Sequence, residues 1–182
     1  ITSGDNNVAL GHNSLGSNTS GNYNTASGYQ SLQSNTTGDF NTAVGGYTLS
    51  SNTTGIYNTG SGYQSLNYNT TGSQNTAAGY RSLLFNDDGN ANTSLGYNSL
   101  FYNTEGSSNT ALGHSALYNN TTASFNTAVG MDALETNTQG ENNTALGYQA
   151  GDIITLPGLP SSPNAFDIDL DENGEIINIL ST

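Results

Sequence analysis

Asn24-Thr-Ala-Ser-Gly-Tyr-Gln-Ser-Leu-Gln-Ser-Asn-Thr-Thr-Gly-Asp-Phe40 runs straight into Asn41-Thr-Ala-Val-Gly-Gly-Tyr-Thr-Leu-Ser-Ser-Asn-Thr-Thr-Gly-Ile-Tyr57. The same 17-residue unit is written twice, and the match extends in both directions. Asn stands at 7, 24, 41, 58, 75, 92, 109, 126 and 143 without a slip, and a Gly follows four residues later each time, from Gly11 to Gly147. A second Asn column occupies 18, 35, 52, 69, 86, 103, 120 and 137, and Leu15, Leu32, Leu49, Leu66, Leu83, Leu100, Leu117 and Leu134 form a third. An internal repeat decides the architecture before any single residue does. Units of this length, rich in Gly, Asn, Thr and Ser, are too short and too turn-prone for a helix pair, whose repeats run to about 33 residues.

The spacing therefore predicts an all-β fold, a parallel β-solenoid with 17-residue coils. Two short strands and two turns per coil are expected, rising about 4.8 Å each time, so that eight to nine coils make a rod about 40 Å long. Each side chain then lies on its equivalent in the next coil. Stacked Asn side chains (Asn24, Asn41, Asn58 and Asn75 in one column; Asn35, Asn52 and Asn69 in the other) are expected to bond amide to amide. Leu32, Leu49, Leu66 and Leu83 belong inside with the Ala column Ala9, Ala26, Ala43, Ala77, Ala111, Ala128 and Ala145. The Gly columns mark positive φ or close backbone approach, and Ala123 in the second shows that this need is not absolute.

Composition narrows the partners. The chain of 182 residues has one Lys or Arg (Arg81) against 14 acids, a net charge of −13, no Cys and 32% apolar residues. Nothing here neutralises phosphates, so nucleic acid and anionic membrane surfaces are excluded as partners. No apolar run approaches the roughly 18 residues of a membrane span, and no signal peptide is legible. A start at Ile1-Thr2-Ser3 without Met is read as a processed or cut product. One Leu, one Ala and little else per coil is thin cover against the entropy of ordering the whole unit. One face is therefore expected to pack on other subunits, through either the Tyr column or the aliphatic column Leu10, Val44, Leu95, Leu112, Val129 and Leu146.

The unit Asn-Thr-Ala-x-Gly-Tyr-x-Ser/Ala-Leu-x-x-Asn-Thr-Thr-Gly resembles a repeat of phage tail fibres and bacterial surface fibre proteins, many of which end in an endosialidase-type chaperone domain. The resemblance covers about residues 5 to 155, with Asn143-Thr-Ala-Leu-Gly-Tyr-Gln-Ala-Gly-Asp-Ile-Ile-Thr155 resembling places where such arrays change register. The chain is more distantly similar to the heads of trimeric autotransporter adhesins. Both resemblances imply a left-handed β-roll, a homotrimer around one axis, an extracellular place on a cell surface or virion, and a non-enzymatic role in projecting or attaching. Residues 151–182 carry neither a chaperone-domain nor a membrane-anchor pattern, which leaves open a trimmed product, a fragment or a relative with another end use.

The repeat zone spans residues 1–150. Residues 151–165 hold all three prolines in Leu156-Pro-Gly-Leu-Pro-Ser-Ser-Pro163 and read as a linker, because Pro cannot donate to a ladder. Residues 166–182 read as a β-hairpin that caps the last coil, locks a trimer or reaches into a neighbouring subunit. Asp167, Asp169 and Asp171 invite a calcium reading. An EF-hand register would need Gly and Glu where Glu172 and Asn178 stand, and alternating Asp on the wet side of an edge strand explains the same letters.

No catalytic or cofactor-binding residues are assigned. His12 and His114 both occupy the Tyr position in coils too far apart to meet, which leaves no nucleophile, base and orienting acid together. The Tyr column (Tyr29, Tyr63, Tyr80, Tyr97 and Tyr148) and a second aromatic column (Tyr23, Phe40, Tyr57 and Phe125) suit stacking between coils better than recognition, though a glycan or cell-surface receptor is compatible with such rings. The local cluster Tyr68, Leu84, Phe85, Phe101, Tyr102 and Tyr118 breaks the Ser-rich pattern and is the contact patch the sequence favours. Thr follows the first Asn from Thr25 to Thr144, and this rank keeps a monomeric ice- or polysaccharide-binding solenoid open. A self-assembling filament subunit is the remaining alternative.

Overall fold

The structure, a computed structural model, describes residues 4–151 in full, together with the backbone of residues 166–170 and 176–181. The chain divides into two units, Ile1–Asp152 and Ile153–Thr182. The first is the predicted solenoid, all-β, of about eight turns. Nine strands of three residues make one sheet: β1 (Val8–Leu10), β2 (Thr25–Ser27), β3 (Thr42–Val44), β4 (Thr59–Ser61), β5 (Thr76–Ala78), β6 (Thr93–Leu95), β7 (Thr110–Leu112), β8 (Thr127–Val129) and β9 (Thr144–Leu146). They pair in chain order and in parallel, Thr25 on Thr42, Thr42 on Thr59 and Thr59 on Thr76. In the second unit β10 (Phe166–Leu170) pairs antiparallel with β11 (Ile176–Ser181). Of the predicted linker, residues 151–165, only Gly151 is among the described residues.

Two strands per coil are expected from the sequence, and the chain makes one. The opposite side of the coil is built on left-handed residues at alternate positions, for example Gly28 (φ 146°), Gln30 (φ 54°) and Leu32 (φ 49°). Inter-coil bonding continues across it without strand geometry. Gly28 and Gln30 donate back to the carbonyls of Leu10 and His12 at 2.8 and 2.9 Å, whereas Leu32 and Ser34 donate forward to Thr48 and Ser50 at 3.0 and 2.9 Å. A non-Gly residue in this region is strained by roughly 1–2 kcal/mol. Here it persists because burial of Leu and the bonds on both sides over-determine the conformation.

The core is narrow and columnar. Leu15, Leu32, Leu49, Leu66, Leu83, Leu100 and Leu117 are fully buried against Ala26, Ala43, Ala77, Ala111, Ala128 and Ala145, whereas Ala9, expected with them, is exposed in the first coil, which has no described coil before it to cover it. A further buried column precedes Leu, comprising Ser31, Thr48, Ser65, Ser82, Ser99, Ala116 and Ala133. Its hydroxyls bond to backbone carbonyls, as Ser31 Oγ does to Gly28 at 3.1 Å and Thr48 Oγ1 to Gly62 at 2.6 Å. The columns compensate one another. Thr48 carries a methyl that its Ser equivalents lack, and Gly60 replaces Ala in the facing strand, where a Cβ would come within 2.5 Å of that methyl. Where Ser94 replaces Ala, its hydroxyl joins those of Ser82 and Ser99 at 2.7 and 2.6 Å.

The two Asn columns do different work, which corrects the expectation of two amide ladders. Asn35, Asn52 and Asn69 form the ladder: each donates Nδ2 to the previous Oδ1 at 2.8 Å and also to the Gly three residues on. Asn24, Asn41 and Asn58 instead clamp backbone. Each Oδ1 accepts the backbone N–H of the next Asn at 2.9–3.0 Å, and each Nδ2 donates to the carbonyl of Gly38, Gly55 or Gly72 at 2.8 Å. The first column sits just before a strand, where the following N–H needs an acceptor, so the amide is recruited to the main chain. In the interior coils, from Asn18 to Asn126, both columns are buried with their polar groups met, which buried amides require.

The repeats end on a residue that keeps the geometry without the side chain. Gly151 falls where the next Leu would stand and holds a positive φ of 79°; a Cβ there would lie 2.5 Å from Leu134 Cδ2.

Candidate functional site: an aromatic groove and an uncharged sheet face

Rings one coil apart are forced into contact by the register. The Tyr column stacks His12 on Tyr29 at 5.3 Å, Tyr63 on Tyr80 at 5.8 Å, Tyr80 on Tyr97 at 5.1 Å and Tyr97 on His114 at 5.1 Å. The third coil has Gly46 at the Tyr position, and Tyr47 closes the gap from the next residue, edge-on to Tyr29 and Tyr63 at 5.2 and 5.8 Å. Column counting misses Tyr47 because it sits one place out of register. In the second aromatic column Tyr23, Phe40 and Tyr57 stack at 5.0 Å. Such pairs contribute about 0.5–1.5 kcal/mol each beyond area burial.

The local cluster is brought together and sorted by depth. Leu84 and Phe101 turn inward and are buried, and Tyr118 stacks on Phe101 at 5.0 Å. Burial, then the neighbouring Tyr102 hydroxyl, hold the Tyr118 phenol above its ordinary range. Tyr68, Phe85 and Tyr102 occupy the outward position two residues after Leu, where other coils carry Ser17, Ser34, Ser51, Asn119 and Thr136. They stack at 5.0 and 5.7 Å with planes within 6° of parallel. Tyr68 and Tyr102 remain 48% and 43% exposed, so three consecutive coils present an aromatic wall.

Two residues further along each of these coils stand Thr70, Asp87 and Thr104. The rings and this polar rank enclose an open groove of about 500 Å³. Thr70 Oγ1 donates to Asp87 Oδ1, and Thr104 Oγ1 to the Thr121 carbonyl at 3.2 Å, so the polar wall is fixed in place. Asp87 is the one acid in a rank that is otherwise Thr from Thr19 to Thr138. Asp88 and Glu105, both exposed, follow Asp87 and Thr104 in the chain.

A second surface is the outer face of the nine-stranded sheet. The middle residue of β2 to β9 is buried, so the first and third residues face outward. The first is Thr in each of these eight strands; the third is Ser27, Val44, Ser61, Ala78, Leu95, Leu112, Val129 or Leu146, never a second Thr. No outward strand residue from Val8 to Leu146 is charged. Arg81 is held elsewhere, its Nε donating to Gln64 Oε1 at 2.8 Å with the guanidinium 5.0 Å from the Tyr80 ring centre.

The two histidines stay apart, each stacked on a Tyr, and His114 Nδ1 lies 3.5 Å from Asp132 Oδ1. Among the described residues no three His, Cys, Asp or Glu are placed to hold a metal. Asp171 lies outside the described residues, and Asp167 and Asp169 are described only as backbone positions of β10, paired with Leu180 and Asn178. No helix among the described residues is long and apolar enough to cross a membrane. Comparison with known proteins returns no matching family model, no matching curated protein and no matching solved structure.

Proposed function

We propose that this chain is a non-enzymatic shaft or adhesin segment that works as a homotrimer, its solenoids packed through the outer sheet face, and that it projects from a cell or virion surface to attach to another. The observation that carries the reading is the absence of charge on that face in a chain with a net charge of −13. Like-charged copies repel wherever acids face acids, so the uncharged strip is the side on which they approach at least electrostatic cost. Its aliphatic residues give a reason to stay: Val44, Leu95 and Leu146 are exposed on the single chain, and aliphatic side chains gathered on one uncharged face favour association.

Light scattering with mass determination tests the assembly. A species of about three times the 18.8 kDa chain mass is expected. Replacing Val44, Leu95 and Val129 with Asp should yield folded monomer. A native chain that stays monomeric across micromolar concentrations sinks the reading.

A further inference from the structure

We propose that the groove walled by Tyr68, Phe85 and Tyr102 binds a linear β-linked oligosaccharide bearing free amines, laid along the rod with one sugar ring per coil. The site stands apart from the sheet face and shares no residue with it. Three observations converge on this ligand.

The wall is apolar and aromatic in three consecutive coils, at a position that is polar in the others, so it is a local departure from the repeat. The face of Tyr68 away from Phe85 looks toward the coil that carries only Ser51 at that place, which leaves a ring face without an aromatic partner. Sugar rings, apolar on their C–H faces and polar at the rim, match a wall of rings opposite a rank of hydroxyls and a carboxylate.

Charge fixes the kind of sugar. Asp87 lines the groove, and the exposed Asp88 and Glu105 are the chain neighbours of its lining residues Asp87 and Thr104, while the one fixed cation, Arg81, is engaged with Gln64 and Tyr80. A sulfated, phosphorylated or uronic chain is repelled by this rim, and an amine-bearing one is attracted. Periodicity then separates a glycan from a basic peptide. The rings recur once per coil, about 4.8 Å along the rod with centroids 5.0–5.7 Å apart, a step close to that of one sugar in an extended chain of β-linked pyranoses. An extended peptide presents like-facing side chains only every two residues, about 6.7 Å, and drifts out of step within three coils.

The test uses the full chain and titrates it by calorimetry with a β-1,4-linked glucosamine hexamer at mildly acidic pH, where amines are protonated and carboxylates ionised. Saturable binding is expected, weakened at least about tenfold by raising salt from 50 to roughly 500 mM. The fully N-acetylated hexamer and hexalysine should each bind at least about tenfold more weakly. Two variants copy residues that the repeat itself places at the same positions: Tyr68→Ser with Phe85→Ser and Tyr102→Ser, as in Ser17, Ser34 and Ser51, and Asp87→Thr, as in Thr70 and Thr104. Each should lose at least tenfold in affinity while the assembly mass stays as in the parent chain. The proposal is overturned by no saturable binding, by binding retained in the triple Ser variant, or by equal binding of the acetylated hexamer or hexalysine. A parent chain that is monomeric yet binds the glucosamine hexamer would count against the assembly reading alone.

Discussion

Glycine occupies two columns for two separate reasons, and single substitutions tell them apart. Gly62 has φ 129°, a region that L side chains avoid, and a Cβ there would lie 2.4 Å from the Gly79 carbonyl oxygen. Gly72 has no such dihedral; a Cβ there would meet Asn69 Oδ1 and the Gly89 carbonyl oxygen at 2.5 Å. Both positions are crowded, yet Ala123 is buried in the Gly72 column, so a small backbone shift admits a methyl there. Gly62→Ala should therefore abolish cooperative folding, or cost upwards of about 3 kcal/mol. Gly72→Ala should cost roughly 1–2 kcal/mol and keep the fold. Urea melts of the two variants followed by circular dichroism check the order, and equal losses would contradict the dihedral argument.

At the scale of the column, the Asn ladder is a chain of bonds whose interior links cannot be replaced by water. Asn52 donates to Asn35 and to Gly55 and accepts from Asn69, all buried. Asn52→Ala strands several partners at about 1–3 kcal/mol each. Asn137, near the end and partly open, makes the same bonds to Asn120 and Gly140 at 3.1 and 3.0 Å within reach of solvent. Asn137→Ala should cost less than half as much in the same urea melt. Stacking itself was legible in the sequence, because strict columns of Asn, Gly and Leu at one spacing have few other physical meanings. The division of labour between the Asn columns was not, since it depends on whether a backbone N–H points at the amide, and letters carry no dihedrals. Leu32 and its equivalents read as core but not as left-handed, for intrinsic preference argues against that conformation and only neighbouring coils impose it. Of the groove, the rings of Tyr68, Phe85 and Tyr102 stood out as a break in a Ser column, whereas Asp87 did not, being hidden in a rank whose outward direction only the fold reveals.

For the solenoid as a whole, the consequence is near one-dimensionality: within one chain each coil touches only the coils before and after it, and stability is close to a sum over units and their junctions. Removing residues 58–74, one complete unit, joins Tyr57 to Asn75 and restores every column. That variant should fold with the parent's circular dichroism spectrum and a modestly lower urea midpoint. Removing residues 58–73 instead displaces all later columns by one place, turning buried residues outward, and should leave no cooperative transition. If both deletions melt alike, in-register stacking does not govern the fold. The strict period also bears on length. Loss or duplication of 17 residues keeps every column, so a whole turn can be dropped or added without disturbing the stacking of the others. The reach of such a solenoid is therefore adjustable in steps of one strand spacing, about 4.8 Å, with no new fold required.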